Sequence, residues 1–356
     1  MWKEAGIVIT VLFPFAWVFS LVPQWLVAVK AVTLTVLETV ARTIPVLVRE
    51  QLRRRTTVKL VQFATPEAAV RLGMIEGDTV VDITNSAAGI DNLLDALRCA
   101  AREGTTLEET VRARGESGRS YAFADLNIVP DASRSHLLLP IFPPEVWGCG
   151  VTYKRSADAR EDDIQDHKGF YDHAYSAERP EVFFKATASR CSGPNDYMGL
   201  REDSSYMAPE PELAVVLDRS GRIHGFTCAN DVSAWDIERE NPLYLPQSKT
   251  FNGCCCLGPC IATAEDIADP KNLGITCTVM RDDELVFSGK TSTSKMKREL
   301  PELIEYLTRS NPIPTGTVLM TGTGIVMPED VGLKPGDMVE ITMERIGTLR
   351  NYAKRV

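Results

Sequence analysis

The sequence predicts an α+β protein in three parts. An apolar N-terminal helical extension covers residues 1–56, a small α+β domain covers 57–135, and a mixed β-sandwich or β-roll covers 136–356. Two observations predict this class. Residues 6–29 carry no charged side chain, and the remainder alternates short β-branched runs with glycine and proline turns and few helical stretches. Such a pattern is typical of a mixed β fold rather than of a doubly wound sheet.

The extension is long and apolar enough to span a bilayer as a helix, and its prolines are tolerated in membrane helices. Positive charge is concentrated after it, at Lys30, Arg42, Arg49 and residues 53–55. The positive-inside rule then places the remaining chain in the cytoplasm, tethered through residues 6–29. An alternative is that residues 1–56 come from a start site chosen too far upstream, because Thr57 begins a run suited to a chain start. Both interpretations remain open here.

The small domain begins with a predicted hairpin. Residues 71–75 and 79–83 flank Glu76-Gly77-Asp78, a tight-turn signal. A helix follows, since Leu93, Leu94, Leu97 and Ala101 fall on one helical face and Gly104 suits the C-terminal cap. No residue of this domain points to chemistry, so its expected role is to pack against one side of a site.

Residues 154–175 are rich in charge and contain His167 and His173, which favours an exposed helix or a mobile loop that can close over a site. After it, Phe183 and Phe184 are expected to be buried. Glu181 would then lie at the edge of the core, where apolar surroundings suit a general acid or base.

Residues 208–249 contain the most informative pattern. Glu210 to Leu217 is predicted to be a strand, so the side chains of Glu210 and Glu212 point the same way. Asp231 ends the next apolar run and supplies a third carboxylate from a neighbouring strand. A hard divalent cation is the usual partner of such a group. A solvated edge strand is the alternative, but the apolar run that follows favours burial, which an ionised carboxylate without a partner does not tolerate.

The remaining chain is predicted to alternate short strands and turns around one helix, residues 299–309. Val318 to Met320 is a strand that ends in Thr321-Gly-Thr-Gly324, which lacks the Gly-Lys-Ser/Thr of a phosphate loop. Residues 335–337 form a turn into a strand at 338–343, expected to be the last.

Charge and cysteine content narrow the function. A net charge of −9 argues against a nucleic-acid surface. The nine cysteines have no zinc-type spacing and three of them are consecutive at residues 254–256. We therefore expect a reducing compartment and buried structural thiols.

Several motifs together resemble the fumarylacetoacetate hydrolase superfamily: residues 209–216, 229–236, 249–251 with 257–259, and 321–324. Residues 179–185 and 236–247 resemble one branch of it, the 2-keto-3-deoxy-D-arabinonate dehydratases. The resemblance covers roughly residues 57–356. Two positions depart from the superfamily pattern: Trp235 stands where arginine is common, and no His-x-x-Glu pair follows Tyr153. Both departures argue against a hydrolase that activates water.

The resemblance implies a metal-dependent dehydratase of a 2-keto-3-deoxy sugar acid, in a homodimer or larger oligomer. In this reading Glu210, Glu212 and Asp231 hold Mg²⁺, or Mn²⁺ or Ca²⁺. The implied catalytic residues are Glu181, Lys249 and Thr323, and the implied substrate-binding residues are Lys185, Arg155 and Gly322. Lys249 can in principle form a Schiff base, but a metal makes that redundant.

Two alternatives stay open from the sequence. One keeps the metal but breaks a C–C bond, as a hydrolase of an acylpyruvate or a decarboxylase of oxaloacetate. The other is a membrane-tethered binding protein without catalytic activity, against which the intact set of three carboxylates and Lys249 counts.

Overall fold

Two β-sheets form most of the protein. The structure, a computed structural model, describes residues 58–67, 69–156, 158 and 170–356. Within them the larger sheet has 12 strands in the order β4-β3-β2-β1-β14-β12-β11-β17-β6-β7, with β5 on β1 and β8 on β14. A second sheet has the order β16-β15-β18-β19-β9, and β10 and β13 form a short pair. Parallel pairs such as β17 with β6 occur among mostly antiparallel ones, so the predicted mixed β architecture is confirmed.

The strands are, in chain order, β1 Lys59–Ala64, β2 Val70–Glu76, β3 Thr79–Asp82, β4 Ser120–Ala122, β5 His136–Leu137, β6 Val146–Gly150, β7 Glu181–Ala186, β8 Cys191–Ser192, β9 Tyr197–Leu200, β10 Met207–Ala208, β11 Pro211–Leu217, β12 Ile223–Asp231, β13 Ser233–Ala234, β14 Cys255–Thr263, β15 Gly274–Arg281, β16 Glu284–Ser292, β17 Thr317–Met320, β18 Met338–Met343 and β19 Gly347–Arg355. The α-helices of the described residues are α1 Leu93–Glu103, α2 Leu107–Arg114, α3 Phe123–Leu126, α4 Phe170–Ser176, α5 Trp235–Glu240, α6 Leu245–Lys249 and α7 Leu300–Thr308.

The predicted N-terminal elements form as expected. Strands β2 and β3 pair as a hairpin, and Gly77 at its turn has a φ of +61°, a conformation that glycine adopts without steric cost. Helix α1 begins where the Asn92 side chain accepts a hydrogen bond from the backbone of Asp95 and ends at left-handed Gly104. Strand β1 pairs with β14, so these strands continue the large sheet. The proposed boundary near residue 135 stays a prediction.

Helix α7 confirms the amphipathic pattern, because Leu300, Leu303, Ile304 and Leu307 are buried. The prediction of 338–343 as the last strand is wrong: β19 follows and pairs with β18 along the whole length of β18. Buried and partly exposed residues alternate from Leu349 to Ala353, but one buried position is the polar Asn351, which weakens the apolar signal in the sequence.

Strand β7 corrects a second expectation. Phe184 is 38% exposed and Phe183 is only partly buried, whereas Lys185 is fully buried. The physical reason is the position of β7 at an edge of the large sheet, where the ring of Phe184 packs edge-on against Trp147 at 5.6 Å. The cysteines follow their prediction: eight are buried and Cys191 is partly buried.

The predicted extension, residues 1–56, lies outside the described residues, as do Arg160 and His167. His173 lies in α4 and is exposed. In the part of the chain that the structure describes, none of the helices has both the length and the apolar character to cross a membrane. Residues 57–356 cluster as one compact unit.

Candidate metal centre

The hairpin of β11 and β12 brings three carboxylates together. Glu210 precedes β11, Glu212 is its second residue, and Asp231 ends β12. Antiparallel pairing places the two ends side by side, and the backbone N–H of Asp231 donates to the carbonyl of Glu210 at 2.9 Å. One oxygen from each side chain lies within 4.8 Å of the others, and all three residues are buried. The predicted grouping is therefore present.

Glu210 and Glu212 are each held by the protein at one oxygen. The Gly322 backbone N–H donates to Glu212 Oε2 at 2.6 Å. Glu210 Oε1 accepts from the indole Nε1 of Trp235 at 2.6 Å and from Lys249 Nζ at 2.9 Å. Donors fixed in this way orient the carboxylates, as outer partners of metal ligands commonly do.

Asp231 lies between two buried lysines. Its Oδ1 is 2.5 Å from Lys185 Nζ and its Oδ2 is 3.2 Å from Lys249 Nζ. Lys185 also donates to the Val232 carbonyl at 2.9 Å. Burial alone would lower the pKa of Lys185, but attraction to Asp231 and to the Cys254 sulfur, together with the hydrogen bond to Asp231, raises the pKa, so this ammonium stays charged.

The charges of the group suit a divalent cation. Among the described residues, the three carboxylates lie beside the ammonium groups of Lys185 and Lys249, and a fourth buried carboxylate, Glu238, lies 3.9 Å from Lys249 Nζ. Burial raises the pKa of Glu212 well above its ordinary value, and the neighbouring Asp231 and Glu210 carboxylates raise it further. An uncompensated buried carboxylate is costly, and oxygen donors of this kind are what Mg²⁺, Mn²⁺ or Ca²⁺ prefer. The donor set fits such an ion.

A narrow cavity lies beside two of the three carboxylates, Glu210 and Asp231. Glu181, Lys249 and Thr323, the predicted catalytic residues, all line it together with Glu210 and Asp231. Lys249 Nζ donates to Ser233 Oγ at 2.6 Å as well as to its two carboxylates. The Thr323 hydroxyl exchanges hydrogen bonds of 3.2 Å with the backbone of Ile325. The structure thus brings the metal-ligand candidates and the catalytic candidates into one place.

Two glycines make room for this arrangement. Gly150 pairs with Glu181 across β6 and β7, and a Cβ at residue 150 would overlap the Glu181 carboxylate. Gly322 has a φ of +92°, and a Cβ there would collide with the Thr152 hydroxyl. Side chains at either position would displace the groups that they contact.

The predicted substrate-binding residues are placed differently from one another. Lys185 is held against Asp231, and the Gly322 backbone against Glu212. Arg155 is exposed and adjoins Ser156, which lines the cavity. Substrate binding by these three residues stays a prediction.

The sequence reasoning did not include some groups of the site. Trp235 was noted only as a departure from the superfamily pattern, yet it hydrogen-bonds Glu210. Glu238 was included only within the motif at residues 236–247, yet it is buried and lines the cavity. The helical spacing of Trp235 and Glu238, three residues apart, is a signal that could have placed both on one face of α5.

The comparison with protein families gives one matching model. Residues 145–354 match the family described as Fumarylacetoacetate (FAA) hydrolase C-terminal. This range contains the three carboxylates and all the residues named above as lining the cavity.

Two curated relatives are similar over most of their length. The "2-dehydro-3-deoxy-D-arabinonate dehydratase" of Saccharolobus solfataricus is 50% identical over 219 residues, which are 61% of this chain and 74% of that protein. The "Probable 2-keto-3-deoxyxylonate dehydratase" of Haloferax volcanii is 42% identical over 287 residues, covering 80% of this chain and 96% of that protein.

Among solved structures, one described as 2-keto-3-deoxy-D-arabinonate dehydratase complexed with magnesium and 2,5-dioxopentanoate is 39% identical, with a TM-score of 0.72. It covers 84% of this chain and 99% of that chain. Large mixed sheets with few helices are therefore shared with a protein whose structure contains magnesium.

Proposed function

Because the chain belongs to the fumarylacetoacetate hydrolase family, we propose that it catalyses the metal-dependent dehydration of a 2-keto-3-deoxy sugar acid. The reaction proposed is conversion of 2-keto-3-deoxy-D-arabinonate into 2,5-dioxopentanoate and water, a step of sugar-acid catabolism. The relatives named above support an enzyme of the dehydratase, or hydro-lyase, class.

The buried group of Glu210, Glu212 and Asp231 carries this proposal. Its oxygens are close enough to share one ion. A bound cation, most simply Mg²⁺, supplies Lewis-acid polarisation of the 2-keto group, which acidifies the C3 protons of the substrate. The positive charge of the ion would also suit the anionic carboxylate of a keto acid.

The chain's own residues then perform the proton transfers. Glu181, at the start of β7, removes a proton from C3 and returns it to the 4-hydroxyl, which leaves as water. The Lys249 ammonium is fixed beside Glu210 and Asp231 and stabilises negative charge that develops on the enolate oxygen. The Thr323 hydroxyl, held at the cavity wall by Ile325, is placed to orient the substrate.

A dehydratase is favoured over C–C bond cleavage by two observations. Both curated relatives reported above are named dehydratases. A hydrolase also needs a base that activates water, and no His-x-x-Glu pair follows Tyr153 in the sequence.

The test is to incubate the full chain with 2-keto-3-deoxy-D-arabinonate in Mg²⁺ or in EDTA and to follow products by NMR. We expect 2,5-dioxopentanoate in Mg²⁺, none in EDTA, and none with the Glu212→Gln variant. Consumption of an acylpyruvate or oxaloacetate instead would overturn the proposal in favour of a hydrolase or decarboxylase. Absence of both turnover and metal binding would overturn enzymatic activity altogether.

A further inference from the structure

A second carboxylate outside the metal-binding group faces the same cavity. Glu238 lies on helix α5, is 6% exposed, and lines the cavity. The other acidic residues of that helix, Asp236 and Glu240, are not among the residues that line it. Its Oε2 lies 3.9 Å from Lys249 Nζ and 3.5 Å from Ser248 Oγ. The cavity is therefore lined by Glu181 from β7 and by Glu238 from α5, in addition to the candidate metal ligands.

Distances from Lys249 Nζ locate Glu238 relative to the metal-binding group. The three N–H bonds of Lys249 are matched by acceptors at 2.9, 3.2 and 2.6 Å on Glu210, Asp231 and Ser233. The Glu238 Oε2 lies 3.9 Å from the same Nζ, beyond hydrogen-bond range. If a keto acid binds with its C1 and C2 oxygens at the metal-binding group, its C3 to C5 atoms would extend into the cavity that Glu181 and Glu238 line.

The proposed reaction needs more proton transfers than Glu181 alone performs. Loss of a C3 proton and of the 4-hydroxyl gives 5-hydroxy-2-oxopent-3-enoate, which is an enone and not the product. To reach 2,5-dioxopentanoate, a proton must leave C5 and one must arrive at C3. The resulting 5-enol then gains a proton at C4 and loses its oxygen-bound proton to water, which yields the aldehyde.

We propose that Glu238 is the catalytic base of this second half-reaction. This inference rests on the function proposed above. The ionised Glu238 takes the proton from C5, the electron pair of that C–H bond moves into a conjugated dienolate, and the protonated Glu238 delivers the same proton to C3. Glu238 ends ionised, as it began, and no further reactant is consumed. Glu181 thus transfers a proton from C3 to the 4-hydroxyl, and Glu238 transfers a proton from C5 to C3.

The two halves can be separated by supplying the enone itself. The full chain with Mg²⁺ is given 5-hydroxy-2-oxopent-3-enoate, and 2,5-dioxopentanoate is followed by NMR against an enzyme-free control. We expect Glu181→Gln to convert the enone at close to the wild-type rate and Glu238→Gln to be slower by about 100-fold, the usual contribution of a positioned base. With the sugar acid as substrate, Glu238→Gln should accumulate the enone, whereas Glu181→Gln should form neither compound.

Glu240→Gln is the matched control, because Glu240 is on the same helix but exposed, and it should behave as wild type. Mg²⁺ binding measured by calorimetry establishes that Glu238→Gln is folded; if it is not, Glu238→Asp replaces it and should slow enone conversion while leaving elimination unchanged. Conversion of the enone by the Glu238 variant at the wild-type rate would overturn the inference, as would loss of elimination with metal binding intact. Failure of the wild-type protein to dehydrate the sugar acid would instead overturn the proposed function.

Discussion

Each end of the β11–β12 hairpin contains buried carboxyl groups, but the pKa is lowered at one end and raised at the other. Asp218, just after β11, accepts hydrogen bonds from the Ser220 hydroxyl and backbone, the Arg222 backbone, and His224 Nε2 at 2.9 Å. Burial alone would raise the pKa of Asp218, but these bonds outweigh it and hold the pKa below its ordinary value. At the other end, Glu212 accepts from one backbone N–H and adjoins two further carboxylates, and its pKa is raised well above the ordinary value.

This difference in pKa distinguishes Asp218, whose charge is stabilised by hydrogen bonds, from Glu212, whose charge is destabilised by burial and by its neighbours. The donors to Asp218 all lie within six residues of it in the sequence, so its charge is compensated by the local fold. The carboxylates of Glu210, Glu212 and Asp231 lie close to one another, and the mutual repulsion of buried carboxylates is costly unless a cation lies between them. The end of the hairpin at Asp218 therefore stabilises the fold, whereas the other end is where we propose that an ion binds.

The largest effect should come from Glu212→Gln. Loss of one anionic ligand should remove Mg²⁺ binding and lower kcat/KM by about 1000-fold or more, since Lewis-acid stabilisation is worth several kcal/mol and each 1.4 kcal/mol is tenfold. Steady-state kinetics on the proposed substrate measures this. Activity of the variant within tenfold of the wild type would contradict the proposal that Glu212, unlike Asp218, is needed for function.

Asp218→Asn should have the converse effect. Removing a buried acceptor from its donors should lower the free energy of unfolding by about 1–3 kcal/mol, measured by urea denaturation, with Mg²⁺ affinity unchanged. The low pKa means that the contribution of Asp218 is present above its unfolded pKa near 3.8 and is lost as the pH falls through the folded value. The wild type and Asp218→Asn should therefore become equally stable in acid.

A smaller effect is expected from Trp235→Phe. The substitution keeps an aromatic ring against Tyr206 but removes the donor to Glu210 Oε1. A hydrogen bond of this kind contributes about 1 kcal/mol, so Mg²⁺ affinity should fall roughly fivefold. Calorimetry detects this change, and an unchanged affinity would show that the indole does not orient Glu210.

The smallest effect concerns the metal-free protein. Because the folded pKa of Glu212 is raised, its neutral form stabilises the fold fully below the unfolded pKa of about 4.5, and that contribution is lost as the pH rises through the folded value. In EDTA, Glu212→Gln should therefore melt at or slightly above the wild-type temperature at pH 8, and the difference should vanish at pH 4. A melting temperature of Glu212→Gln below that of the wild type at pH 8 would contradict the conclusion that the ionised Glu212 carboxylate destabilises the metal-free fold.

The carboxylate group was predictable because it depends on short-range rules. Side chains two residues apart share a strand face, and the next strand of a hairpin ends beside the first, so Glu210, Glu212 and Asp231 follow from local pattern. The surroundings of that group were not predictable in this way. Lys185 reaches Asp231 only because β7, β6, β17, β11 and β12 are neighbours in one sheet, an order that local sequence does not encode.

The same limit explains the errors at β7 and β19. An apolar pair such as Phe183 and Phe184 is read as core, yet β7 lies at a sheet edge and exposes Phe184. Strand β19 is polar on one face. It forms a hairpin with β18, and it also pairs with β9, which comes from a distant part of the chain. The sheet-edge position of β7 and the pairing of β19 with β9 both depend on long-range pairing, which the local sequence pattern does not encode.

The most direct test is a calorimetric titration of Mg²⁺ into the EDTA-treated full chain, compared with Glu212→Gln and Asp218→Asn. The two variants make the same kind of isosteric change to buried carboxyls of one hairpin. We predict one binding site in the wild type, the same site in Asp218→Asn, and none in Glu212→Gln. Equal binding by the wild type and Glu212→Gln would contradict a cation held by the three carboxylates.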